Sequence, residues 1–417
     1  MLDLKFIREH PDFVKESLAG KRIPSGQIDK VLSLDVGRRK LIVEGEELKA
    51  KRNKLSDEVG RLKASGGNSS TVVLEGKTIS QKISEIDKKV EEIDNTIEEI
   101  LYNIPNLPDK SVPIGDLSKN KIIRENGKRH TFKFKPKDHL TLATKLKWVS
   151  MELGAKVTGT AFPFFTGLGA QVERALINFM VDLHVKKHGY KQVWPPVLVN
   201  RASMMGTGQL PKFEEDMYRL KDDDLFLIPT AEVPVTNMHR DEVLDEKDLP
   251  IKYVAYTPCF RREAGSYGKD TKGLSRVHQF DKVELVKFVR PETSLGELEN
   301  LVNDAEEVLR LLEIPYRVIL LSTGDMSFAA SKCYDIEAWA PGSERWFEVS
   351  SCSTFTDFQA RRMNIRYRAK DGDKPKLVHT LNGSGVALAR TVLCLLENHQ
   401  REDGTVELPK VLGPYLK

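Results

Sequence analysis

The stretch Phe260-Arg261-Arg262-Glu263-Ala264-Gly265-Ser266, followed by Arg276-Val277-His278-Gln279-Phe280 and then Glu284, decides how this chain is read. Apolar, β-prone runs flank it on both sides, so the pattern predicts a strand, a long glycine-containing loop and a returning strand. Such a hairpin would gather Arg261, Glu263, Arg276, Phe280 and Glu284 around one cleft. These residue types suit a nucleotide: guanidinium groups for phosphate oxygens, an aromatic face for a base, and a carboxylate for an exocyclic amine. Taken alone, arginines on a sheet serve as readily in surface ion pairs.

Outward from the hairpin the sequence has the character of a mixed domain. A helix is expected over 171–188, and a strand from Lys191 to Leu198 broken by Pro195-Pro196. Further strand-like runs lie at Leu225 to Ile228, Ile251 to Tyr256, Val283 to Val289, Tyr316 to Leu321, Cys333 to Trp339 and Trp346 to Ser350. A last helix is expected from Gly385 to His399. Many strands with few intervening helices predict a mostly antiparallel sheet and not a doubly wound one. Phosphate-loop, dinucleotide-binding, nucleophile-elbow and HExxH motifs are all missing from the sequence. His184 and His188 stand four apart on the expected helix, a spacing that could ligate a metal, but with no third ligand in view a helix-surface role is favoured.

The first hundred residues read differently. Leucine recurs every seven positions at Leu34, Leu41, Leu48, Leu55 and Leu62, and a second seam runs Ile79, Ile83, Ile86, Val90, Ile93, Ile97 and Ile100. Sustained 4-3 spacing keeps one apolar stripe against a partner helix. Ser65-Gly66-Gly67-Asn68-Ser69-Ser70 separates the seams and permits a reversal, and Pro105, Pro108 and Pro113 end the second. An antiparallel two-helix coiled coil over about 28–104 follows, with arms of about 30 residues reaching roughly 40 to 45 Å. The first arm is basic, with Arg38, Lys49, Lys51, Arg52 and Lys54 among its charges, while the second is acid-heavy. Its second seam carries Arg38, Gly45 and Arg52, which suggests that part of this face is reserved for a partner. Attraction between the arms and a basic edge for phosphates both fit this pattern.

A chain of 417 residues with 40% hydrophobic and 30% charged residues supports more than one domain with proper cores. No apolar run approaches the 18 or so residues needed to span a bilayer, and Asp3 and Glu9 argue against a transit peptide. Cys259, Cys333, Cys352 and Cys394 stand far apart, which suits a reducing, cytoplasmic setting and offers no framework for structural zinc. A net charge of +4 decides no partner.

The Phe260-to-Glu284 stretch resembles the second signature motif of class II aminoacyl-tRNA synthetases, in its seryl-tRNA synthetase form. Thr380-Leu381-Asn382-Gly383-Ser384-Gly385 with Arg390 resembles the third motif, and a helix before a strand ending at Pro195-Pro196 the first. Thr230-Ala231-Glu232, Glu348-Val349-Ser350-Ser351-Cys352-Ser353 and the Ile104-to-Pro108 junction match further segments, so the likeness covers essentially the whole chain.

The resemblance implies an α+β protein: an N-terminal antiparallel two-helix coiled coil followed by a class II synthetase domain, its mostly antiparallel sheet flanked by helices. Residues 1–110 would form the tRNA-binding helical hairpin and 111–417 the catalytic domain. The implied reaction joins L-serine to ATP, giving seryl-adenylate and pyrophosphate, and then passes the seryl group to the 3′ end of tRNA(Ser), with tRNA(Sec) a further possible acceptor. Arg261 would bridge the serine carboxylate and the α-phosphate, Glu263 would meet the adenine edge, and Phe280 and Arg390 would sandwich the ring. Arg276 and Arg390 would reach the outer phosphates, and Arg262, Val277, Val349 and Ser350 would complete the ATP site. Glu348 and Ser351 would hold magnesium brought with ATP. Serine would be held by Thr230, Ala231, Glu232, Arg261, Glu284, Asn382 and Ser384. Catalysis would rest on Arg261, Glu348 and Arg390. A homodimer through the first motif is implied, with the arm meeting the tRNA. The alternative is an RNA-binding scaffold on an inactive synthetase fold, whose expected mark would be loss of Arg261, Glu284, Glu348 or Arg390; all four are present.

Overall fold

A computed structural model describes residues 1–263, 273–370 and 372–416, so Ala264, Gly265 and Ser266 of the hairpin motif lie outside the described residues. The chain divides into two compact units, Met1–Pro105 and Asn106–Lys417.

In the first unit two short helices, Leu4–Glu9 and Pro11–Gly20, precede a pair of long ones, α1 (Gly26–Ala64) and α2 (Ser70–Tyr102). The seam of α2 lies inward as its spacing requires: Ile79, Ile83, Ile86 and Ile97 are buried, with Val90, Ile93 and Ile100 half-buried. The leucines of α1 are only half-buried. At 39 and 33 residues both helices exceed the 30 expected, about 58 and 50 Å long. The α1 helix starts earlier than expected, and Ile28 and Val31 in its first turns are fully buried, as are Ile7, Val14 and Leu18 of the short helices. There the buried Asp35 carboxylate lies 3.1 Å from both Arg8 Nε and Arg39 Nε.

The departures from the heptad have definite roles. Gly45 is buried, and a Cβ there would lie 3.4 Å from Ile86 Cγ2, so this position packs against the facing helix. Arg38 pairs with Asp94, Lys49 with Asp87 at 3.0 Å and Lys51 with Glu75 at 2.7 Å. Attraction between the arms thus engages part of the basic edge, and Arg52 and Lys54 carry no ion pair among the described residues.

The second unit is built on an eight-stranded sheet. In chain order its strands are β1 (Lys121–Asn126), β2 (Lys191–Val193), β3 (Ile251–Phe260), β4 (Gln279–Val289), β5 (Tyr316–Leu320), β6 (Lys332–Ala340), β7 (Arg345–Thr354) and β8 (His379–Ala387). Their order across the sheet is β1-β5-β6-β7-β8-β4-β3-β2, antiparallel throughout except for the β2–β3 pair. Helices α3 (Gly167–Lys186), α4 (Ser294–Leu311) and α5 (Leu388–Asn398) supply Leu176, Met180, Leu301, Val302, Val392 and Leu396 to one core with Val283, Leu285, Ile336 and Val349 of the strands. A second apolar cluster, including Ala231, Val235, Ala360, Met363 and Tyr367, covers Val286 and Phe288.

Three local expectations need correction. The segment after α3 is not one strand: Lys191–Val193 ends before the two prolines, and Leu198–Asn200 pairs instead with Leu225–Leu227 in a separate small sheet. The last helix does not start at Gly385, because β8 runs on to Ala387 and the helix begins at Leu388. Glycine there marks close packing: a Cβ on Gly383 would fall 2.7 Å from Cys352 Sγ, and one on Gly385 2.7 Å from His184 Nε2. Last, His184 is no surface residue. It is fully buried, with Nδ1 2.9 Å from Nδ1 of His188, and burial first and the neighbouring ring second push its imidazole down to about 3. His188 in turn meets Glu307 at 3.0 Å.

Candidate active site

Alternation along two strands builds the site. On β4, Val283 and Leu285 face the helices while Phe280, Lys282 and Glu284 face the other way; on β8, Gly383 and Gly385 back onto Cys352 and His184 while Asn382 and Ser384 point outward. The strands register with Ser384 opposite Glu284. A cavity of about 580 Å³ lies over this face. Of the residues singled out from sequence, it is lined by Thr230, Glu232, Arg261, Glu263, Arg276, Val277, Phe280, Glu348, Val349, Ser351, Asn382, Ser384 and Arg390. Ala231 is fully buried, Glu284 lies beneath the floor, Ser350 donates to the Ser384 carbonyl at 2.6 Å, and the Arg262 side chain is exposed.

One end of the cavity is a buried polar net. Asn382 Nδ2 donates to Glu232 Oε2 at 3.0 Å and to Glu284 Oε1 at 2.8 Å, so one amide bridges two carboxylates. Lys282 Nζ lies 2.5 Å from Glu284 Oε2 and donates to Thr230 Oγ1 at 2.8 Å. The Glu232 backbone N–H also donates to Thr230 Oγ1, at 3.2 Å, so both lone pairs of that hydroxyl are taken and its own proton is left to donate. Burial first and the charge of Glu284 second push the Glu232 carboxyl up to about 7; a hydrogen bond from Gln359 works against them.

The other end is rich in arginine. Arg261 lies with its guanidinium carbon 5.2 Å above the Phe280 ring, and its Nε donates to the Pro229 carbonyl at 3.3 Å. Glu263 adopts a left-handed backbone (φ 51°) and stands 3.4 Å from Arg276 Nε. Arg390 donates to the Ser275 carbonyl at 3.0 Å and to the Glu348 carbonyl at 2.7 Å, with the Glu348 carboxylate 3.4 Å away. Ser351 Oγ lies 3.1 Å from Cys333 Sγ and opposite Asp335 in the sheet register. Burial, then the charge of Glu348, hold Asp335 well above the ordinary carboxylate range, while a hydrogen bond from Ser351 opposes both.

Glu348, Ser351 and Asp335 are hard oxygen donors of the kind magnesium prefers. Among the described residues no group of three or more His, Cys, Asp or Glu side chains is arranged to hold a metal. All four cysteines are buried and free.

Sequence reasoning missed Lys282, Gln359 and Asp335, and quoted Thr380 in the third motif without giving it a role. For Lys282 a signal existed, since Phe280, Lys282 and Glu284 share one strand parity, as do Asp335 and the buried Cys333. Gln359 left none, because only the fold brings it to Glu232 and to Thr380.

Residues 1–108 match the seryl-tRNA synthetase N-terminal domain family, and residues 212–399 the class II tRNA synthetase core domain family (G, H, P, S and T). The chain is 52% identical over 421 residues to a serine–tRNA ligase of Chloroherpeton thalassium, covering 100% of this chain and 99% of that one. It is 54% identical over 418 residues to another from Caldanaerobacter subterraneus, covering 100% and 98%. Its fold superposes on the crystal structure of a seryl-tRNA synthetase from Pyrococcus horikoshii complexed with ATP, with a TM-score of 0.95 at 41% identity, covering 100% of this chain and 98% of that one. With an arm of paired helices, an antiparallel core and full-length likeness to serine–tRNA ligases, the chain belongs to the seryl-tRNA synthetase family.

Proposed function

We propose that this enzyme of the serine–tRNA ligase class forms seryl-adenylate in the cavity over β4 and β8 and transfers the seryl group to the 3′ end of tRNA(Ser). The observation that carries the reading is the pairing of two different ends in one cavity. A buried net of Glu232, Glu284, Lys282, Asn382 and Thr230 lies at one end, and Arg261, Arg276 and Arg390 beside Phe280 at the other.

In this reading the serine ammonium and hydroxyl enter the polar net. An amino acid lacking the hydroxyl would leave buried partners unpaired, which is how such a pocket rejects alanine. Arg261 stands at the junction of the two ends and takes the serine carboxylate and the α-phosphate together. It meets the charge that builds up as the carboxylate oxygen attacks phosphorus and the bond to pyrophosphate breaks. The adenine ring displaces Arg261 from the face of Phe280 and lies between Phe280 and Arg390, its edge toward Glu263. Arg276 and Arg390 hold the outer phosphates. Magnesium, when bound, screens phosphate charge and would be held by Glu348 and Ser351 with phosphate oxygens. No general base is required, because the serine carboxylate is ionised at neutral pH; alignment and charge do the work.

Two copies associate through α3 and the sheet-edge strand β2, after which Trp194 is 76% exposed. The basic side chains of α1 without acidic partners, Arg52 and Lys54 among them, lie along the tRNA backbone and read shape more than bases. Tests begin with ATP–pyrophosphate exchange against each of the twenty amino acids, with and without magnesium. Exchange with serine alone, dependent on magnesium, followed by charging of tRNA(Ser), is the expected result. Exchange with another amino acid would refute the pocket assignment, and no exchange from folded protein would favour an RNA-binding scaffold.

A further inference from the structure

The two pocket carboxylates are supported in different ways. Glu284 has a cation of its own in Lys282, 2.5 Å away. Glu232 has none: its Oε2 accepts from Asn382 at 3.0 Å and its Oε1 from Gln359 Nε2 at 2.6 Å, both neutral amides. The net therefore holds two carboxylates against one buried ammonium, and an incoming amino acid brings the cation that balances it.

Gln359 sits in the short helix Phe358–Met363 and is fully buried, out of reach of anything in the cavity. Both protons of its amide are used, and its oxygen is engaged. Nε2 donates to Glu232 Oε1 and, at 3.2 Å, to the Thr207 carbonyl, while Oε1 accepts from Thr380 Oγ1 at 2.7 Å. A flipped amide would set its oxygen against two acceptors, so the orientation is fixed. Thr207 and Thr380 are themselves 1% exposed.

We propose that Gln359 is a positioning residue for the amino-acid pocket, its buried amide holding the Glu232 carboxylate in the pose, and as the anion, that receives the substrate ammonium. The proposal rests on the adenylation reading given above. A donor aimed at a carboxylate favours its charged form, and here it opposes burial and the repulsion of Glu284. Without Gln359, Glu232 loses one of its two fixed donors and gains protons more readily.

The test uses the full-length enzyme carrying Gln359→Met, which keeps length but removes the donors, and Gln359→Glu, which keeps shape. Pyrophosphate exchange is measured across pH with serine and ATP varied separately, alongside thermal melting. In Gln359→Met the KM for serine is expected to rise about 10- to 100-fold, with kcat and the KM for ATP changed less than about threefold. The acid limb of kcat/KM for serine should move up by about one pH unit or more, since Glu284, Lys282 and Arg261, the charged groups facing Glu232, are unaltered. Gln359→Glu should move the limb the same way, because two adjoining buried carboxyls share a proton. This variant decides the matter if Gln359→Met fails to melt cooperatively. An unchanged serine KM and acid limb in a folded variant, or an equal rise in the KM for ATP, overturns the proposal while leaving the reaction intact. A wild-type enzyme without serine-dependent exchange overturns the reaction, and this role with it.

Discussion

The paired helices of the arm and the buried polar end of the cavity both set carboxylates against basic groups, with opposite consequences. Between α1 and α2 the pairs Lys49–Asp87 and Lys51–Glu75 are largely exposed, all four side chains at least 45% accessible. Water and salt screen such pairs, and each adds about 0 to 1 kcal/mol. In the cavity, the Lys282 and Glu284 side chains are 6% and 0% accessible. Removing one partner there strands a charge in a low-dielectric interior, at about 3 to 5 kcal/mol. The same chemistry thus serves as replaceable trim on a helix pair and as an exacting constraint in a pocket. What separates the two is access to water.

The largest effect that would sharpen the contrast is Lys282→Met, which leaves Glu284 without its cation. It should destabilise the second unit by about 3 to 5 kcal/mol in denaturant titrations; a loss under 1 kcal/mol would place the pocket pair in the same class as the arm pairs. Next is Arg261→Ala, expected to lower pyrophosphate exchange about 10²- to 10³-fold while the melting temperature hardly moves. An intact rate would remove Arg261 from the chemistry. In the arm, Gly45→Leu forces a side chain against Ile86 and should cost about 1 to 3 kcal/mol, read as loss of helical signal at lower denaturant. A neutral result would mean that the helices are not held at close approach.

A smaller effect follows from Glu232, whose carboxyl stands near 7 against an ordinary 4.5. Because the folded value lies above the unfolded one, its contribution to folding is full below about 4.5 and is lost as pH rises through 7. Under the proposed role of Glu232, serine uptake runs the other way, since the anion would receive the ammonium. The KM for serine should rise about tenfold for each pH unit below 7, with the KM for ATP less affected. A flat serine profile would show that Glu232 keeps one charge throughout. Smallest of all, Lys49→Ala should shift stability by less than about 1 kcal/mol, and less still at high salt. A larger loss would bring the arm closer to the pocket in kind.

Legibility followed the same division. A helix pair repeats one rule every seven residues, so Leu34 to Leu62 and Ile79 to Ile100 could be placed without knowing what else touched them. Gly45 and Arg38 broke the rule, and the structure sets each against a residue on the facing helix, Ile86 and Asp94. In the sheet, alternation was legible along each strand but not across strands. Phe280 and Glu284 were found through the motif, and Lys282 between them was passed over. Gly385 suggested a helix start because its reason, the ring of His184, lies some 200 residues earlier.

By itself the sequence determined the paired helices, the mostly antiparallel sheet and many of the residues that line the cavity, because periodicity and motif spacing are local properties of a chain. Only the tertiary structure decided which carboxylate has a cation and which is held by neutral amides. Lys282 reaches Glu284 along one strand, but Glu232 is met by Gln359, whose amide is fixed in turn by Thr207 and Thr380 from two other segments. Burial and electrostatic surroundings depend on what the whole fold packs around a group, and no local pattern records that.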